Sequence, residues 1–268
     1  MDGAAYQPIP PELLDPAWLR ATLLKYPGFE YFAELPDPAP GEPHGLAWIN
    51  SQERRDWELQ RLHRHAPFYA LITAFTMAGL RAEEIMRNPA RRLRPLLIEQ
   101  QRIPRLGDPP VATHKLPTMR RDQPEQVSGR DPDALSGLVA DISRNMSFDE
   151  YPQFLAILDG TMSFVGIGRL TLRADFELMR QALTPAEFGY WSGFLRDAMF
   201  SLHFPGCRSL PAQSPEYLLT RLWAEAFYML QASRTLDEYY IDVVMRKYFR
   251  RQFGREMQNL LRRVGKHS

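Results

Sequence analysis

An all-α fold is what the sequence predicts, on three observations. Apolar residues recur at helical spacing along most of the chain, helix-start signatures repeat, and period-two alternation with β-branched enrichment is scarce. The expected architecture is multi-helix, with orthogonal or bundle-like packing. A proline-rich linker or mobile loop (103–132) would separate a small N-terminal helical region (1–102) from a larger C-terminal helical region (133–268) that ends in a basic amphipathic helix.

The starts are read in chain order. "DPAW" at Asp15, "NPAR" at Asn88 and "SPEY" at Ser214 place a capping side chain before a proline. Proline suits the first helical position because its missing donor would be orphaned there anyway. "TPAE" adds Thr184 as cap and Glu187 three residues on, a reciprocal capping box. "SFDE" and "TLDE" repeat that spacing with Ser147 and Glu150, and with Thr235 and Glu238. Both Asp-Glu pairs are expected in first turns, where acidic charge complements the helix dipole, and a catalytic role for them is set aside. "YPGFEYFAELPDPAPGEPHG" (26–45) cannot sustain a helix, since its prolines remove donors and clash with preceding turns. In "HRHAPFY", Pro67 is expected to start a new helix after His63 and His65, which face different ways. Leu218, Leu222, Phe227 and Leu230 mark one helical face, and Phe249, Phe253, Met257, Leu260 and Val264 mark another.

Composition narrows the class. The 33 basic and 32 acidic side chains nearly cancel, so no global field marks a nucleic-acid binder. A single cysteine, Cys207, excludes an internal disulfide framework and fits a reducing compartment. "MDGAAYQPIPPELLD" lacks the basic start and apolar run of a secretory signal, and a cytoplasmic location is expected. The apolar run "FYALITAFTMAGL" has 13 residues, short of the ~20 that cross a bilayer.

Catalytic and metal signatures are sparse. Neither Glu-x-x-His nor His-Glu-x-x-His occurs, and His203 and Cys207 in "HFPGC" make only half a metal site. "GTMSFVGIGRL" lacks the third glycine of a dinucleotide loop and the Gly-Lys of a P-loop; its glycines read as sites of close helix approach or kinking. No catalytic residue, metal or cofactor is therefore expected.

Charge is segregated. Residues 246–268 carry 8 basic side chains and 1 acidic one. Arg246, Lys247, Arg250, Arg251, Arg255, Arg262 and Arg263 lie there, and Arg91, Arg92 and Arg94 lie in an earlier basic stretch. These ten are the candidate partner-binding residues. A basic amphipathic helix docks on acidic protein, rests on anionic lipid or grips phosphates, or is simply solvated over a buried stripe. A protein partner with an acidic surface is favoured over nucleic acid, and the oligomeric state is left open.

"GEPHGL" (41–46) and "FVGIGRLTLRADFELMRQAL" (164–183) resemble segments of the K-subunit family of bacterial type III secretion machines. That resemblance implies a helical, cytoplasmic, non-enzymatic adaptor on the sorting platform, peripheral to a membrane-embedded complex. The leading functional expectation is such an adaptor or scaffold. Its rivals are a helical enzyme or ligand-binding protein with an aromatic pocket from Trp191, Trp223 and Tyr228, and a nucleic-acid binder using the arginine-rich segments.

Overall fold

Helix α1 (Pro16–Leu23) begins as its sequence dictates: Asp15 Oδ1 accepts from the Ala17 and Trp18 amides at 2.9 and 3.2 Å, with Pro16 in the first turn. The computed structural model describes residues 9–87, 95–118, 137–168, 173–195, 197–211 and 213–264. After α1 come α2 (Leu46–Ile49), α3 (Gln52–Arg87), strands β1 (Ile98–Arg102) and β2 (Val111–Lys115), and α4 (Leu138–Asn145). A 3₁₀ turn (Phe148–Gln153), α5 (Phe154–Asp159), β3 (Ser163–Gly166), α6 (Arg173–Ala182), α7 (Pro185–Ser192) and β4 (Ala198–Ser201) follow. The chain ends with α8 (Phe204–Cys207), α9 (Pro215–Gln231), α10 (Arg234–Tyr239), a π-helical turn (Tyr240–Met245) and α11 (Arg246–Val264).

The fold is mostly helical but not purely α. β1 pairs with β2, and β3 pairs with β4. The second pair is parallel, with Val165 opposite Phe200, and every residue of both strands is buried. Strands covered on both faces read as short apolar runs without alternation, which is why the sequence pattern hides them. Gly166 is required here, because a Cβ would lie 2.7 Å from that of Ala198.

Besides Asp15, two more of the expected helix starts stand as read. Ser214 Oγ accepts from the Tyr217 amide at 3.2 Å, and Thr184 with Glu187 completes the reciprocal box. The "TLDE" box does not form. Ser233 caps α10 instead, accepting from the Leu236 amide at 3.2 Å, while the Thr235 amide donates to Glu42 at 2.9 Å. Asn88 lies outside the described residues. Pro67 starts no helix and sits inside α3.

The chain divides into two compact units. Unit one comprises residues 1–58, 101–111 and 161–245, and unit two comprises 59–100, 112–160 and 246–268. Of the expected linker, residues 119–132 lie outside the described residues, and its earlier part contains β2.

Unit one is built on fully buried aromatics. Phe32 meets Phe227 edge-on at 5.3 Å, and Phe176 lies 5.3 Å from Trp191. Trp191 and Tyr228 are thus core residues, while Trp223, half-buried, packs on Trp18 and Tyr26. Cys207, in α8, is buried with its Sγ 3.6 Å from Thr220 Oγ1. His203 reaches Ser201 Oγ at 2.9 Å and Glu225 Oε1 at 3.3 Å, and Glu225 also accepts from Arg221 and Trp191.

A second polar network surrounds β3. The buried Arg54 donates to the carbonyls of Ile49 (3.1 Å) and Val165, and its Nε lies 3.6 Å from Glu58. Glu58 accepts from the Phe164 amide at 3.1 Å, and Asp197 accepts from Ser163 Oγ at 3.0 Å. Asp237 accepts from Trp48 Nε1 at 2.9 Å and Tyr228 Oη at 2.8 Å.

Burial pushes Glu58 up to about 7 and Asp237 up to about 6, against the attraction of Arg54. Both values lie above those of an unfolded chain, so across that window the folded protein holds protons the unfolded one has released. Stability therefore falls as pH rises through it. Thermal unfolding midpoints should drop between about pH 5 and about pH 8, and Glu58→Gln, with no titrating group there, should drop less. A midpoint that climbs over this range would contradict the linkage.

Candidate active site

Unit two has a small core in which Leu80, Leu116 and Ala140 are buried against Met77 and Val139. Helix α4 is anchored from α3: Glu83 Oε1 accepts from the Val139 amide at 2.7 Å, placing a carboxylate on the first turn of α4. Gly137 makes this approach feasible, since a Cβ there would overlap the Glu83 carboxylate. The result is a fixed helix whose last turn carries Arg144.

The chain leaves α4 through Ser147, which has φ 57° and ψ 24°. A non-glycine residue in the left-handed region is strained, and such strain concentrates at functional sites. This geometry also overturns the first of the expected capping boxes. An N-cap residue has extended backbone, and Ser147 makes no side-chain cap bond. The following Phe148–Gln153 segment is a 3₁₀ turn with Pro152 inside it, rather than the first turn of an α-helix.

That turn carries Asp149 and Glu150 inward, 1% and 9% exposed. Asp149 Oδ2 lies 2.7 Å from Arg144 Nη1 and 3.4 Å from Thr118 Oγ1, and the Asp149 carbonyl accepts from the Leu116 amide at 2.8 Å. Burial raises the Asp149 pKa; Arg144 opposes that shift and the neighbouring Glu150 adds to it. Arg144 is itself raised: burial works to discharge it, but Asp149 and Glu150 outweigh that effect. Tyr151 packs edge-on to Tyr69 at 5.6 Å and to Phe148 at 5.3 Å, closing the turn with aromatic rings. The arrangement is two adjacent buried carboxylates and one partly exposed guanidinium, a set that moves protons or attacks an electrophile.

The residues expected to bind a partner gather differently. Arg91, Arg92 and Arg94 lie outside the described residues. Arg246, Lys247, Arg250, Arg251, Arg255 and Arg262 are exposed on α11, which also includes Arg263. The stripe expected beneath them is only partly covered, with Phe253 54% and Met257 41% exposed. The acid pair was visible in the sequence, but its repetition at 237–238 pointed to capping. Its contacts with Thr118 and the Leu116 amide are long-range in sequence and leave no local trace.

Residues 68–188 match a family model described as bacterial sugar transferase, a span under half of the 268 residues. It covers most of α3 and runs through α4, the acid-bearing turn and β3 into α7. Comparison with curated proteins returns no match. The similarity to a transferase corrects the resemblance to the type III secretion K-subunit family. With it go the link to a secretion apparatus, which rested on two short segments without chemical signature, and the non-enzymatic adaptor reading, which rested on absent catalytic motifs and segregated charge.

Because Ser147 occupies left-handed backbone and is no cap, Ser147→Gly should change unfolding free energy by less than about 1 kcal/mol. Thr184→Ala, removing a true cap, should cost about 1 kcal/mol by denaturant unfolding.

Proposed function

We propose that this protein is a sugar transferase whose reacting centre is the Asp149–Glu150 pair. One observation carries the reading: these two are the least exposed acidic residues among the described residues of the transferase-like span. Moving a sugar from an activated donor requires a group that takes the acceptor's proton or attacks in the acceptor's place, and carboxylates do both. Burial lets Asp149 hold a proton at higher pH than an isolated aspartate, with Arg144 opposing the shift and Glu150 adding to it, which suits acid–base work. Arg144, in reach of Asp149 and partly exposed, offers positive charge for a phosphorylated leaving group.

The same unit carries an apolar strip. Phe68, Leu71 and Phe75 of α3 are 53%, 54% and 69% exposed, at spacings that align them along one helix face. Among the described residues no helix is long and apolar enough to cross a membrane. The strip fits a helix resting against a lipid interface and supports a reading in which transfer takes place beside apolar material.

Purified protein offered nucleoside-diphosphate sugars tests the chemistry. Asp149→Asn and Glu150→Gln should each lower turnover on the order of 100-fold or more with helical circular dichroism retained. Undiminished turnover in both variants would remove the pair from the reaction.

A further inference from the structure

Helix α11 has an exposed side whose composition is unusual for a solvated surface. Tyr248, Gln252 and Glu256 recur every fourth residue and are half-buried, so that row faces the unit, where α11 packs on α4. Across residues 250–258 the exposed side chains are Arg250, Arg251, Phe253, Arg255, Met257 and Gln258. Three arginines and two large apolar groups share this side, and it holds no carboxylate. Solvated faces interleave both charge signs and keep phenylalanine covered. Arg250, Arg251 and Arg255 form no ion pair among the described residues.

We infer that α11 docks on anionic lipid surfaces, with Phe253 and Met257 entering the interface and Arg250, Arg251 and Arg255 pairing with the negative surface charge. A phosphodiester backbone would engage the arginines but leave Phe253 and Met257 in water. A lipid interface takes both kinds of side chain. The α3 strip in the same unit supplies a second apolar helix of this kind. The inference deepens the lipid-facing part of the function proposed above by naming the headgroup charge, and it is independent of the acid pair.

Co-sedimentation of the full chain with vesicles tests it. One set is phosphatidylcholine alone, and the other contains roughly one-third phosphatidylserine, both at low and high salt. The chain should prefer the anionic vesicles, and the preference should shrink with salt. The triple variant R250E/R251E/R255E should lose at least on the order of 100-fold of anionic affinity at low salt, from about fivefold for each positive charge removed. F253S/M257S should weaken binding to both vesicle types. These side chains are exposed, so circular dichroism should match the parent chain. An anionic preference that survives the triple variant overturns the inference, as does equal binding to both vesicle types. Turnover with soluble donor and acceptor should be unaffected by the triple variant, which separates failure here from failure of the Asp149–Glu150 assignment.

Discussion

Unit one depends on a guanidinium that has nowhere to go. Arg54 is 2% exposed, and burying a lone cation of this kind would be prohibitive without anions and acceptors around it. The surroundings provide them: two backbone carbonyls, the Glu58 carboxylate, and the fields of Asp197 and Asp237. One of those carbonyls belongs to Val165 in β3, so the charge is tied to the strand that pairs with β4. The aromatic core then forms around a polar centre whose geometry is fixed by donor and acceptor directions rather than by volume alone.

The acids of the two units do different work, and their hydrogen bonds show why. Asp237 has one carboxylate oxygen engaged by Trp48 and the other by Tyr228, within the rigid aromatic core. Such an acid is occupied by the scaffold. Asp149 sits on a short turn behind a strained serine, bonded to an arginine that still touches solvent. The same Asp-Glu dipeptide thus serves architecture at 237–238, while at 149–150 it carries the proposed chemistry.

How far this was readable from the sequence follows the range of the forces involved. Caps at Asp15, Thr184 and Ser214 were legible because proline and the cap oxygen act within one turn. The boxes at Ser147 and Thr235 obeyed the same spacing but failed. The first failed because Ser147 takes left-handed backbone, and at the second Ser233 became the cap while Trp57, with nearby Arg234, claimed Glu238. β3 and β4 escaped notice because four buried residues carry no periodicity. The basic character of α11 was plain, yet the exposure of Phe253 and Met257 depends on which neighbours the helix meets.

Cys207 has a consequence of its own. It is the chain's sole thiol, it is 2% exposed, and it lies against α9 through Thr220. Alkylating reagents attack the exposed thiolate, so their rate at this position is set by how often the surrounding helices part. Unit one thereby carries an intrinsic clock for its own breathing, readable by mass spectrometry with no engineered label.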